Sequence, residues 1–403
     1  MNEINLIDLI GKDIAKTDGT RKLTIKGETK NYAVYKIPLK YLYYNDQNGR
    51  ISTNISKYID EHGSFNFDDL EGYNNIVHEF IVNSNKQALK DTKNNIKMFG
   101  QRLPGVVLKN GRIVDGNRRF TCLRELHSEE GKDYYFEAVI LDTDNGISAK
   151  DVKRLELNLQ HAEEKPVDYN PIDNLVDVYR DLVENEVFTV QEYATNTNKR
   201  VKEVEKLKTE AILMVEFLEF INAKGKYFIA RDLKLDGPLQ EIMSILNRVG
   251  EEEKEDVKNT LFAALITSNQ GDLTRFIRNI GKDIIRTNRA NEFMEEYEDI
   301  TAELHDAFHE EEITDTNSIS KIVASNPELK EESNKIIEKK IDATRTDAAR
   351  NKPVDLLCRA FDSLDAIDPV AVSLMQDENK DEFKLILEKV QSTLKLLDEK
   401  VNV

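Results

Sequence analysis

The stretch Pro104–Leu126, PGVVLKNGRIVDGNRRFTCLREL, leaves the chain few choices. Val106, Val107 and Leu108 form a short apolar run, largely β-branched, that reads as a strand. Asn110-Gly111 can take positive φ and close a two-residue hairpin. Ile113 and Val114 read as the returning strand, which Asp115-Gly116 breaks. From Asn117 to Leu126 the apolar residues Phe120, Leu123 and Leu126 recur at helical spacing. The expected local structure is strand, tight turn, strand, glycine turn, helix. A glycine turn that opens a helix presents unpaired backbone N–H groups at the positive end of the dipole, where anions bind readily. Arg118 and Arg119 add two fixed charges to that first turn. Arginines there oppose the dipole, and a bound phosphate would offset the cost. The plainer alternative is a simple turn whose arginines reach solvent or a carboxylate.

Charge restricts the partners. The 403 residues suffice for two or three domains. Charged residues make up 33% and the net charge is −18, so nucleic acid could be met only through local basic patches. Cys122 and Cys358 do not indicate a disulfide framework, and a reducing cytoplasm is the expected compartment. The opening MNEINLIDLIGKDIAK lacks the basic-then-apolar pattern of a signal peptide. No apolar run approaches the roughly 20 residues of a membrane span, so no membrane partner is expected.

Taken in order, residues 1–18 read as a short amphipathic helix, and 23–25 and 32–37 as strands. Asn83–Phe99 reads as a helix, capped by Ser84 or Asn85 and ended by Gly100. Tyr134–Asp142 suits a buried strand and Ser148–His161 a helix. Pro166 and Pro171 mark a break, after which the chain reads as almost wholly helical.

Ile113–Phe120 (IVDGNRRF) resembles the Gly-x-Arg-Arg box of the ParB/sulfiredoxin superfamily. Other segments resemble the same family in the same order. They are Val34–Leu39, Asn45–Arg50 (NDQNGR), Leu89–Gly100, Leu157–His161 (LNLQH) and Asn170–Asp173 (NPID). Together they span about residues 31–215. The resemblance implies an α+β ParB/sulfiredoxin-like domain over 1–165, with 51–82 as an insertion. All-α middle and C-terminal regions would follow, a helix-turn-helix-like one at 166–235 and a helical one at 236–403. It also implies a nucleoside triphosphate, CTP or ATP with Mg2+, held by Gly116, Asn117, Arg118, Arg119, Thr121, Asn158 and Gln160. Leu157, with Glu156 beside it, stands where the family carries a glutamate that helps hold metal and triphosphate, and His161 replaces an arginine. Asn117 occupies the position of the sulfiredoxin cysteine, so reductase chemistry is not implied. Asp-Gly-x-x-Arg-x-Thr, ending at Thr121, is also similar to restriction-subunit families of the superfamily, which hydrolyse nucleotides and cut DNA.

Three further patterns bear on partners. A short helix from Thr189, a polar turn at 195–198 and a second helix with Val201, Val204 and Leu207 inward have a helix-turn-helix look. Lys199, Lys202 and Lys206 share one face of it, with Arg200 beside them, and DNA contact is expected there. Arg275, Arg278, Lys282, Arg286 and Arg289 are spaced for one helical stripe, which could track a phosphate backbone or pair with Glu295, Glu296, Glu298 and Asp299. Phe383, Leu387, Val390, Leu394, Leu397 and Val401 alternate steps of four and three. That seam suits a homodimer through the C-terminal helix at 380–402, or packing within its own bundle. His305 and His309 have the spacing of a zinc pair without an evident third ligand, and no metal site is expected.

The leading expectation is a cytoplasmic, nucleotide-responsive DNA-binding protein of bacterial or phage type. The competing ones are a nuclease or NTPase of a phage, plasmid or anti-phage defence system, and an adaptor whose nucleotide site has decayed.

Overall fold

A computed structural model describes residues 4–144, 146–162 and 170–401. The chain divides into two compact units, one running to Ile337 and the other Glu338–Val403.

The first unit begins with a five-stranded mixed sheet. Its strands lie in the order β1 (Ala15–Ile25), β2 (Glu28–Pro38), β5 (Tyr135–Leu141), β3 (Gly105–Leu108) and β4 (Ile113–Asp115). β1 and β2 form an antiparallel hairpin, and β2 is antiparallel to β5. β3 is parallel to β5 and antiparallel to β4. A parallel pair needs a long crossover, which includes the helix α4 (Asn117–Glu130). Strand alternation sorts the core onto two faces. Val107, Ile113, Phe136 and Ala138 face one cluster with Phe120 and Leu123, whereas Val106, Val114, Val139 and Leu141 face another with Val152, Leu155 and Leu159 of α5 (Ala149–Ala162).

Residues 1–18 do not form the expected helix. Among the described residues the only helical piece there is a 3-10 turn, Leu6–Leu9, and the chain is already in β1 at Ala15. A run this short cannot repay helix nucleation, and strand pairing with β2 takes the rest. Residues 51–82 are largely helical and contribute to the core. They hold α1 (Ser52–His62) and most of α2 (Leu70–Ser84), whose Ile55, Tyr73 and Val77 are core residues. The Asn74 side chain fixes α2 to the chain before it, accepting from Tyr44 N at 3.1 Å and donating to Leu42 O at 2.9 Å. Asn85 caps α3 (Lys86–Phe99), which Gly100 ends at φ 73°.

Past α5 the structure is helical, and Pro166 lies outside the described residues. The first unit continues through α6 (Pro171–Tyr179), α7 (Val190–Thr197), α8 (Val201–Phe220), α9 (Tyr227–Asp232), α10 (Asp236–Leu246) and α11 (Lys254–Thr267). It ends with α12 (Leu273–Ile280), α13 (Ala290–Glu310), α14 (Thr316–Ser325) and the start of α15 (Pro327–Asp365). The rest of α15, α16 (Pro369–Ser373) and α17 (Asp377–Val401) form the second unit. Among the described residues no helix is long and apolar enough to cross a membrane.

Candidate functional site

The site is built where β4 hands over to α4. Gly116 is the N-cap of α4, with φ 109° and ψ 19°. That left-handed conformation favours glycine, and a Cβ there would lie 2.7 Å from the Phe136 ring. No side chain caps this helix. The Phe120 N–H takes the Gly116 carbonyl at 2.9 Å, and the N–H groups of Asn117, Arg118 and Arg119 sit in the first turn ahead of it. The helix therefore offers its positive end without the hydroxyl or carboxylate that commonly closes one.

A pocket of 180 Å³ opens at this end of α4. Gly116, Asn117, Arg118 and Arg119 form one wall, and Gln160 of α5 lies beside them. Asn48 and Arg50 come from the loop before α1, and the hydroxyl residues Ser84 and Thr92 from α2 and α3. Ile51, Ile81, Leu103 and Val114 supply apolar surface. Asn117 is only 7% exposed, and its Oδ1 is buried with no hydrogen-bond partner. Buried polar atoms are nearly always satisfied, so an orphan lining a pocket marks a place where a ligand would complete the set.

The two arginines do different work. Arg119 donates from Nη2 to Asp115 Oδ2 at 2.8 Å and from Nη1 to the Leu103 carbonyl at 2.7 Å. Asp115 Oδ2 also accepts from Arg21 at 2.7 Å, and Arg21 reaches the Pro104 carbonyl. Asp115 thus sits between two guanidiniums that tie the segment before β3 to the turn after β4. Arg118 is half-buried and lines the pocket.

Of the other expected ligand residues, Gln160 joins this pocket, while Thr121 and Asn158 are not among its lining. Thr121 is fully buried, donates to the Asn117 carbonyl at 2.9 Å and bonds the Tyr44 hydroxyl at 2.9 Å. Asn158 stands two positions from Gln160, slightly more than half a turn around the helix. The side chain of His161 lies outside the described residues. Glu156, one turn before Gln160, accepts from Gln160 Nε2 at 3.2 Å and from Asn45 Nδ2 at 3.0 Å. Its burial pushes its carboxyl up to about 7, opposed by the Lys153 ammonium.

Asn48 and Arg50 were missing from the expected site, although the NDQNGR segment pointed to them. Asn45 Oδ1 accepts from Gln47 N at 3.0 Å, and Asn48 Oδ1 from Arg50 N at 3.1 Å. These local turns bend the segment and deliver Arg50 to the pocket. Ser84 and Thr92 carry no sequence signal of this kind. The same loop leads into the helical region. Thr53 N donates to Asp173 Oδ1 at 2.9 Å, Ser52 Oγ to Asp177 Oδ1 at 3.2 Å, and Arg231 Nη1 to Thr53 Oγ1 at 2.8 Å. Burial raises Asp173 and Asp181 to about 6.

The expected helix-turn-helix elements are α7 and α8. Thr189 and Glu192 form a capping box on α7, and Asn198 turns the chain at φ 53°. Val204 is buried and Leu207 half-buried, but Val201 is 36% exposed rather than inward. Lys202 and Lys206 are exposed, Lys199 is half-buried, and Arg200 is paired with Glu203 at 2.5 Å. The second cationic stripe is not one helix. Arg275 and Arg278 lie on α12, Lys282 lies in a π-helical turn at Gly281–Ile285, and Arg286 and Arg289 lie beyond it. A Cβ on Gly281 would come within 2.5 Å of Ile245, so α10 approaches closely there. Arg275 and Lys282 are exposed, and Arg278 is bound to Glu241 at 2.7 Å.

His305 and His309 stack at 4.1 Å between ring centroids. Among the described residues no group of three or more His, Cys, Asp or Glu side chains is placed to hold a metal ion. Compared with protein-family models and with curated proteins, the chain matches none significantly.

Proposed function

We propose that this chain is a nucleotide-responsive DNA-binding protein, with a ParB-like N-terminal fold and a nucleoside triphosphate bound at the α4 turn. One observation carries the reading. An uncapped helix end, the orphaned Asn117 amide and the arginines Arg50 and Arg118 meet at one small pocket. Backbone N–H groups and guanidiniums are the donors phosphates take, and the amide can donate or accept. The ligand is CTP or ATP, accompanied by Mg2+ on its phosphates. The nearest carboxylate, Asp115, has Oδ2 committed to two arginines, so the protein's contribution is to the phosphates rather than to a metal.

DNA contact falls to α8 through Lys202 and Lys206, with Lys199 at its start. The stretch Asn45–Thr53 supplies both Arg50 and the hydrogen bonds to Asp173 and Asp177 of α6, giving the pocket a hydrogen-bonded path to the helical region. Calorimetric titration with CTP, ATP and inorganic triphosphate, each with and without Mg2+, tests the reading. A ligand that binds only the folded state also raises its melting temperature. No heat and no thermal shift with any of them at millimolar concentration would refute it.

A further inference from the structure

A second pocket, of 330 Å³, lies among the later helices of the first unit and shares no lining residue with the pocket at α4. Its wall is apolar. Phe217 of α8, Leu265 of α11 and Ile319 and Val323 of α14 are buried residues that line it. Leu233, Ile266 and Leu273 line it too and are left only half-buried. Apolar surface left in water gains by being covered.

The charge at this pocket is unusual for the chain. The sequence holds 75 acidic side chains against 57 basic ones, yet no Asp or Glu of the described residues lines the pocket. Its one charged group is Lys330, in the part of α15 that belongs to the first unit. Lys330 is half-buried, and among the described residues its ammonium pairs with no carboxylate. Other part-buried cations of the helical region do have acid partners. Lys258 meets Glu216 at 3.3 Å and Glu255 at 2.7 Å, and Arg231 meets Asp173 at 3.4 Å. An ammonium partly withdrawn from water is strengthened by a counter-ion, and here the protein supplies none. Ser268 also lines the pocket, and its Oγ accepts from Gln270 N at 3.1 Å, which leaves its own O–H to donate.

We propose that this pocket binds an aliphatic monocarboxylate, a medium-chain fatty acid. Its carboxylate would meet Lys330 and Ser268, and its chain would cover Phe217, Leu265, Ile319 and Val323. The volume stands near the lower end of ligand cavities, roughly 300–1,000 Å³, which suits a medium chain rather than a long one. An alkylammonium would be repelled by Lys330. A nucleotide or a dicarboxylate would set further charge against the apolar wall, where nothing compensates it. The proposal does not rest on the nucleotide site.

Titration calorimetry of the full chain with hexanoate, octanoate and decanoate, each below its micelle-forming concentration, tests it. 1-Octanol and octylamine vary the head group. One octanoate should bind per chain, and octylamine should not bind. Affinity should rise roughly fourfold per added methylene and level off once the pocket is full. Lys330→Gln should weaken octanoate roughly tenfold or more while changing octanol little. Ala324→Phe, from an exposed position on α14 that lines the pocket, should abolish binding of both. Melting temperatures without ligand establish that the variants fold. Absence of heat with all three acids at millimolar concentration overturns the proposal. Equal binding of octylamine, or many acids per chain with affinity still rising at decanoate, shows surface adsorption and overturns it as well. Undiminished octanoate affinity in a folded Lys330→Gln removes the carboxylate contact, and with it the ligand class.

Discussion

Truncating Arg118 and Arg119 separately should produce opposite defects. Arg119 makes two bonds inside the protein, one to the Asp115 carboxylate and one to the Leu103 carbonyl, and its side chain is 11% exposed. Hydrogen bonds to charged groups contribute about 1.5–3 kcal/mol each when one partner is removed. Asp115 keeps Arg21 in the variant, which limits the loss at that end. Arg119→Ala should therefore cost about 2–4 kcal/mol, and in a unit this large that lowers the melting temperature by several degrees. Arg118 lines the pocket, so Arg118→Ala should weaken nucleotide binding by roughly ten- to a hundredfold, the value of one charge-assisted bond. Arg118→Lys should rescue only part of that, since an ammonium cannot reproduce the guanidinium fork. Differential scanning calorimetry without ligand and titration calorimetry with it read the two effects independently. A well-folded Arg118→Ala that binds as tightly as wild type would remove Arg118 from the site. An Arg119→Ala that melts like wild type would refute its structural role.

Three other outcomes follow from the same geometry. Asn117→Asp places a carboxylate at the amino end of α4, where it should repel a phosphate and weaken nucleotide binding. Unchanged nucleotide affinity in that variant would argue against phosphate at the turn. Glu156 keeps its proton up to about 7 in the folded chain and loses it near 4.5 when unfolded, so the folded state binds more protons between those values. Stability should fall as pH rises through that window, with Asp173 and Asp181 contributing in the same direction from 3.8 to about 6. Glu156→Gln should flatten the dependence and gain most above pH 7, and denaturant melts at pH 5 and pH 8 that give the wild-type difference would exclude Glu156 as its source. Changing Lys199, Lys202 and Lys206 together to alanine should reduce the slope of log affinity for duplex DNA against log salt. An unchanged slope would take α8 out of the interface, and the same measurement on Arg275, Arg278 and Lys282 decides whether that surface contributes.

The segment from Val106 to Leu126 was legible because its signals are local. β-branched runs, Gly116 and the helical spacing of Phe120, Leu123 and Leu126 each act within a few residues, and the chain folds there as they dictate; the hairpin differs from the expected two-residue turn, closing over Lys109–Gly111 with Gly111 alone at positive φ, 90°. The caps at Asn85 and Thr189 were readable for the same reason. Residues 15–18 were misjudged as helix because a hairpin partner, not their own spacing, makes them a strand, whereas 23–25 were legible as one. The cationic run from Arg275 to Arg289 has the period of one helix, but close approach of α10 at Gly281 accompanies a π-turn that breaks the stripe. Sequence alone placed a positively charged helix end after β4. Only the tertiary structure decided which groups share it, bringing Arg50, Ser84 and Thr92 from three other elements and turning Arg119 inward to Asp115. Helix starts and tight turns are fixed by steric and hydrogen-bonding preferences of adjacent residues. Which side chains meet across a pocket is fixed by sheet register and helix packing, and those depend on residues far apart along the chain.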